Sequence, residues 1–290
     1  MARIATHCPC CAGTDLDRSP AVLMPLVANR AFGWTPVEIT QEWGFRHLKT
    51  GMAYSLCNSM QCQACGLLFL DIRFDDEEME RLYSNFRSED YARQRDAFEP
   101  GYAALNAAIQ VHAPDTSDAE RALAGHVKSA PRVLDWGGNG GKNTPFRQTA
   151  SQVDIYDLSD EPPIAGVRRV SLDEASASRY DLVVMSHVLE HVPYPETLVR
   201  SALALLDEDA VLYVEVPWEP IIAASPEGRD LARRKRHWHE HINFFTEEAM
   251  RTLLERCGAE VVGSEIRAFD SLVPNMTRVM SMVCRRRKPG

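Results

Sequence analysis

Val133-Leu134-Asp135-Trp136 runs directly into Gly137-Gly138-Asn139-Gly140-Gly141. An apolar run, an acid and then a glycine cluster describe a strand that ends in a tight turn beneath a ligand. Glycine tolerates positive φ and lets the backbone approach a bound group closely. The chain after Pro131 alternates. Residues 153–157 read as a short strand ending in an acid, and 168–172 as a third strand. Residues 180–186 and 210–217 read as buried strands, and 261–266 and 279–284 as the last two. Residues 142–150, 195–206 and 246–257 read as intervening helices. The last of these has Thr246 as a cap, Glu247 and Glu248 in its first turn, and Gly258 as its stop. This alternation predicts an α/β chain, a Rossmann-like and mostly parallel sheet with helices on both faces. In that architecture the ligand lies at the carboxyl ends of the strands.

The turn excludes two common ligand classes. No Gly-Lys-[Ser/Thr] closes it, so it is not a P-loop. It also departs from G-x-G-x-x-G, and Asp135 would repel a pyrophosphate while attracting a cationic or amino-bearing ligand. Asp157 ends the second strand about 20 residues past the glycines, the position from which an acid accepts hydrogen bonds from ribose hydroxyls.

The first 72 residues carry two C-x2-C pairs, Cys8/Cys11 and Cys62/Cys65, the second followed by Gly66. Two such knuckles predict a closed four-thiolate zinc site of structural type, with Cys10 as a substitute ligand for Cys11. The gap between the pairs exceeds the usual ~15–20 residues. It calls for a folded insertion in which Phe32, Trp34, Trp43 and Phe45 pack. Residues 73–130 read as a helical connector. Asp75 to Glu78 open the first helix, Met79, Leu82, Tyr83 and Phe86 recur at helical spacing, and further helices run over 101–111 and 117–128. Tyr83, Arg87, Tyr91 and Arg95 share one face if the first helix is continuous, and would then form a lid that meets a polar substrate. Residues 131–290 form the third unit.

The net charge of −9 disfavours nucleic acid as a partner, because phosphate neutralisation needs a basic surface. No apolar run reaches the ~18 residues of a membrane span, and the N-terminus lacks a signal-peptide pattern. The expected compartment is the cytoplasm, where eight cysteines stand as thiols or metal ligands.

Asp135-x-Gly137-x-Asn139-x-Gly141 resembles motif I of the class I S-adenosylmethionine-dependent methyltransferases, with Asn139 at the middle glycine. Asn is the residue best able to share a left-handed conformation with Gly. Asp157 resembles the ribose-binding acid of that family, and Asp173 falls near the expected adenine position. Ser186-His187-Val188-Leu189-Glu190-His191-Val192 resembles its S-x-V-L-E-H-V segment after the fourth strand. The resemblance implies a class I sheet whose last strand is antiparallel. It also implies S-adenosylmethionine as cofactor, bound by Asp135, Gly137, Asn139, Gly141, Asp157, Asp173 and His187.

A narrower resemblance joins the cysteine module, the connector and His239-Glu240-His241-Ile242-Asn243-Phe244-Phe245 to bacterial zinc-containing methyltransferases that modify sugars. It implies a small-molecule acceptor, sugar or sugar-linked, methylated at O or C. The implied catalytic residues are Glu240 and His241, and among the other histidines His191 is the second candidate base. Those relatives carry a Tyr two residues before the Glu, where this chain has Trp238. Histidine suits a general base because its pKa lies near neutrality. Arg233, Arg234, Lys235 and Arg236 could meet a substrate phosphate or carboxylate, or form a solvated face. Two other functions remain open: an RNA methyltransferase, and a non-catalytic methyltransferase fold that serves as a binding module.

Overall fold

The computed structural model describes residues 3–44, 50–112, 115–225, 228 and 230–288. Phe45, expected to pack in the insertion, lies outside them. Among the described residues the main sheet has seven strands. Their order is Arg168–Arg169, Gln152–Tyr156, Arg132–Trp136, Tyr180–Ser186, Leu206–Pro217, Arg278–Arg286, Ala259–Ala268. The first five are parallel. Arg278–Arg286 is antiparallel to both of its neighbours, so the last strand enters as expected.

Strand alternation sends successive side chains to opposite faces. Leu134, Trp136, Val183, Met185, Leu212 and Val214 face one side, with Val199 and Leu203 of the helix Pro195–Ala204 and Met250, Leu253 and Leu254 of the helix Glu247–Arg256. Val133, Leu182, Val184, Val211 and Tyr213 face the other, against Ala119 and Leu123 of the helix Ser117–Leu123. The central strands are thereby buried on both faces. Register sets the strand ends side by side: Asp135 pairs with Ile155 and with Val184, and Ser186 with Glu215. Thr246 caps its helix, its Oγ accepting from Ala249 N at 3.1 Å.

A second sheet of five strands lies in the N-terminal part, in the order His237–Trp238, Leu16–Leu23, Leu56–Cys62, Leu68–Leu70, Asn243–Phe244. Both of its edges therefore come from residues 237–244. Residues 239–242 bridge one edge to the other. The helix Pro25–Phe32 packs with Leu23, Phe74, Leu82, Trp238 and Phe244 in a core of its own. Cys8, Cys62, Leu67 and Phe69 join the main core instead.

Five expectations are corrected. Residues 142–150 form turns rather than a helix. Pro145 disfavours the α region at Thr144, and Phe146 takes φ 58°. The connector does not run as one helix. Asp76–Tyr83 ends before Ser88 caps Glu89–Phe98, and Asn85 and Arg87 between them have positive φ. Tyr83, Arg87, Tyr91 and Arg95 therefore do not share one helix face. The helix that starts at Ser117 stops at Leu123, short of 128. The third strand is only Arg168–Arg169, because Ser171 and Glu174 form a capping box that starts a helix at Leu172. Phe32, Trp34 and Trp43 stay about 40% exposed rather than entering a core, although Phe32 meets Phe74 at 5.7 Å.

Candidate active site

The glycine turn needs its small residues for contact as well as conformation. A Cβ on Gly137, which has φ 80°, would stand 2.6 Å from Val188 Cγ2. Asn139 takes φ 52°, the left-handed conformation expected of it. Its Oδ1 accepts from Ser159 Oγ at 2.8 Å, and its N–H donates to Asp157 Oδ2 at 2.7 Å. Asp157 Oδ1 accepts from Ser159 N at 2.7 Å. Arg169 ties the two turns together by donating to the carbonyls of Asn139, Asp157 and Glu161.

Asp135 is buried at the strand end, with Thr144 Oγ donating to it at 2.6 Å. Burial pushes its carboxyl up to about 6, the Thr144 bond opposing and Asp157 adding to the rise. A buried carboxylate whose hydrogen-bond partner is neutral suits a ligand that brings an ammonium group.

A single cavity of about 360 Å³ is lined by Asp135, Gly137, Asn139, Asp157 and His187 at one part and by His191, Glu240 and His241 at another. Gly141 lies beneath the turn, where a Cβ would stand 2.7 Å from Val167 Cγ1, and it does not line the cavity. Asp173 is not brought to the site either. The capping box places it exposed in the first turn of Leu172–Ser176.

The histidine end is built from three segments. The loop after the fourth strand and residues 239–243 are sewn together. The carbonyl of Glu190 accepts from Ile242 N and Asn243 N, and Asn243 Nδ2 donates to Leu189 O and Val192 O. His191 Nδ1 lies 3.0 Å from Glu240 O and 2.9 Å from Tyr83 Oη. Burial lowers its pKa against the pull of Glu190. His241 Nδ1 meets Glu219 Oε1 at 2.7 Å, and its ring stands edge-on to His191 with centroids 4.7 Å apart. Burial opposes charge on His241, but the Glu219 bond and the nearby carboxylates outweigh it and raise its pKa.

Glu240 is differently engaged. Arg95 Nη1 donates to it at 3.1 and 3.3 Å. Burial would raise its pKa, but His239, Arg95, His191 and His241 hold it down at about 2. A carboxylate so held is an ion-pair partner and a weak proton acceptor.

A profile of the methyltransferase domain matches residues 102–264. The chain belongs to the methyltransferase-domain family. It is an S-adenosylmethionine-dependent methyltransferase. No curated protein matches the sequence. Among solved structures, it is similar to the 1,6-didemethyltoxoflavin-N1-methyltransferase of Burkholderia thailandensis, determined with S-adenosylhomocysteine. Identity is 20% over 69% of this chain and 90% of that one, with a TM-score of 0.46. An S-adenosylmethionine-dependent methyltransferase from Mesorhizobium loti is similar at 18% identity over 58% and 96% of the two chains, with a TM-score of 0.41.

In this methyltransferase the four cysteines of the two knuckles come together. Cys8 and Cys65 sulfurs are 3.6 Å apart, Cys11 and Cys62 sulfurs 3.4 Å, and all four lie within 4.8 Å of one another. A tetrahedral zinc with bonds of about 2.3 Å needs sulfur edges of about 3.8 Å, so the group fits that ion. Cys11, not Cys10, belongs to the four; Cys10 gives its N–H to Cys8 Sγ at 3.4 Å. Hydrogen bonds from the Cys10 and Cys65 thiols hold Cys8 down at about 2, while burial pushes Cys62 up to about 11.

Arg233, Arg234 and Arg236 are exposed and do not line the cavity, and Lys235 Nζ lies over the Phe244 ring at 4.3 Å. The basic run is a surface feature. Trp238 is fully buried, its Nε1 donating to Ser59 Oγ at 2.7 Å. The phenol nearest the histidines is instead Tyr83, from the connector. Reading the sequence missed Glu219. Its signal was an acid just past the end of the fifth strand, as Asp157 is past the second. No helix among the described residues is long and apolar enough to cross a membrane.

Proposed function

We propose that this methyltransferase methylates a small-molecule acceptor, a sugar or sugar-linked metabolite, at a hydroxyl or an acidic carbon. The observation that carries this reading is the one cavity shared by the glycine turn and the His191/His241 pair, with His241 bonded to Glu219. When bound, S-adenosylmethionine supplies an electrophilic methyl group. Asp135 would hold its ammonium, Asp157 its ribose hydroxyls, and Gly137 and Asn139 the backbone contacts, with His187 beside them. Asp157 has about four lone-pair sites and spends two on backbone N–H groups, leaving two for hydroxyls.

His241 acts as the base. Glu219 accepts the Nδ1 proton and so fixes the tautomer that leaves Nε2 free to take a proton from the acceptor. His191 faces it and shapes the acceptor position, and Glu240 with Arg95 anchors the segment. Polar side chains at this end, including Tyr83 behind His191, suit a polyhydroxy acceptor. The cysteine group takes a structural zinc, so that residues 1–72 form a zinc module, 73–130 a connector and lid, and 131–290 the catalytic domain. A reducing compartment such as the cytoplasm would keep these thiols available to the metal.

The test is methyl transfer from labelled S-adenosylmethionine to a panel of nucleotide sugars and free glycosides. It runs beside calorimetric titration of S-adenosylhomocysteine into wild type and Asp135→Asn. Micromolar binding that weakens in the variant, with turnover on a sugar, supports the reading. Turnover only on RNA or on non-sugar acceptors would overturn the acceptor class.

A further inference from the structure

We propose that Glu190, His191 and His241 form a binding site for a divalent first-row transition metal ion at the acceptor end of the cavity. The site's purpose rests on the acceptor reading above; its existence does not. Ligand atoms of the three residues lie within 4.8 Å of one another.

The decisive feature is Glu190. Its side chain is 1% exposed, yet neither carboxylate oxygen has a hydrogen-bond partner among the described residues. The nearest ring nitrogens are His187 Nδ1 at 3.4 Å and His191 Nε2 at 3.8 Å. A carboxylate taken out of water without partners costs several kcal/mol. By contrast Glu215, as deeply buried, accepts from Ser186 Oγ at 2.9 Å and Tyr213 Oη at 2.7 Å and is paired with Arg267. The fold satisfies one buried carboxylate fully and leaves the other with no hydrogen bond among the described residues, only imidazole nitrogens at 3.4 and 3.8 Å.

The outer contacts of those imidazoles complete the case. A backbone carbonyl only accepts, so the contact of His191 Nδ1 with Glu240 O puts the proton on Nδ1. Glu219 does the same for His241 Nδ1. Both Nε2 atoms are left with a lone pair. Metal-bound histidines are held in this way, the second nitrogen donating to a carboxylate or a backbone carbonyl. Two imidazoles and one carboxylate suit ions from manganese to zinc and leave coordination positions open. His191 and His241 line the cavity, so those positions face the acceptor. An acceptor hydroxyl bound there would lose its proton to solvent at lower pH. Its oxygen would then form the new bond to the methyl carbon while the carbon–sulfur pair stays on sulfur. With the ion bound His241 would serve as ligand, and in the metal-free site as the base described above.

The test uses protein already holding one zinc, titrated with Co²⁺ and followed by visible absorption and calorimetry. Glu190→Gln and His191→Gln are treated in the same way, with S-adenosylhomocysteine binding measured on every sample. The expected result is one equivalent of Co²⁺ with a nitrogen/oxygen spectrum free of thiolate charge transfer. Binding should weaken at least about 10- to 100-fold in both variants, the range seen even for loss of an outer partner, while S-adenosylhomocysteine still binds. No Co²⁺ uptake by the wild type, uptake only with a thiolate spectrum, or equal uptake in both variants overturns the site. If cobalt binds as expected but no sugar is methylated, the acceptor reading falls and the metal site stands.

Discussion

His241 Nδ1 lies 2.7 Å from Glu219 Oε1, while Glu240, its neighbour in sequence, turns to Arg95 at 3.1 Å. The imidazole therefore takes its orientation from the end of the fifth strand, 22 residues away. Two carboxylates next to the histidine have separate tasks: Glu219 orients it, and Glu240 ties the segment to the connector.

His241→Ala should lower kcat by about 10²- to 10⁴-fold, the usual share of a positioned acid or base. Glu219→Gln should lose activity while cofactor affinity stays unchanged. Glu240→Gln should retain more turnover than either. Steady-state kinetics on the identified acceptor checks this order, and near-wild-type turnover by His241→Ala would remove that residue from the site.

Removing the Arg95 side chain leaves Glu240 charged and largely buried, at 16% side-chain exposure. Arg95→Ala should cost about 3–5 kcal/mol of stability, as breaking a buried pair does. Arg95→Lys should recover part of it. Urea unfolding of the three proteins measures the difference. A loss below about 1 kcal/mol, the range of a surface pair, would show that Glu240 finds another partner.

Burial moves the Asp135 carboxyl from 3.8 to about 6 in the folded chain. Between those values the unfolded chain binds fewer protons than the folded one, so stability falls as pH rises through this window. The whole effect is about 3 kcal/mol and should vanish in Asp135→Asn. Cofactor affinity runs the opposite way: S-adenosylhomocysteine should bind more tightly as pH rises from 5 to 7 and the carboxylate ionises. A pH-independent affinity would show that its ammonium is held elsewhere.

Asn139→Gly should keep cofactor affinity within a few-fold, because the turn requires a left-handed residue and glycine provides one. Gly137→Ala should abolish binding, since its Cβ has no room beside Val188. Calorimetry on both variants is sufficient. Strong loss in Asn139→Gly would assign the Asn side chain a direct contact with the cofactor.

Cys11→Ser should lose zinc and lower the melting temperature, whereas Cys10→Ser should keep the metal, following the sulfur grouping. Metal content by atomic emission decides between them. The opposite pattern would mean that residues 8–11 are threaded differently.

Much of this was legible from residues. The strands around 133, 153, 180 and 211 were readable because each is a short apolar run bounded by polar or glycine residues. For Tyr180–Ser186 the boundaries match the expectation residue for residue. The helix expected over 142–150 failed on Pro145, a local signal that apolar spacing alone does not weigh. Tyr83 and Arg95 do reach the histidine end, but from two helices parted by the positive-φ residues Asn85 and Arg87, which no count of fours along a chain can reveal. Glu219 and Glu190 escaped notice as site residues because their meaning is three-dimensional. One is an acid beyond a strand end, and the other is a buried carboxylate that makes no hydrogen bond among the described residues.

Residues 237–244 form both edges of the N-terminal sheet. As the chain leaves the ribosome, the cysteine knuckles and the three inner strands appear first, and both flanks of that sheet stay open until residues 237–244 have been made. Unpaired flanks invite pairing with other chains. The last piece that seals them carries His239, Glu240 and His241. The segment that closes the first-made sheet is thus the one that brings His239, Glu240 and His241 beside His191, so closure of that sheet and assembly of the histidine cluster are one step.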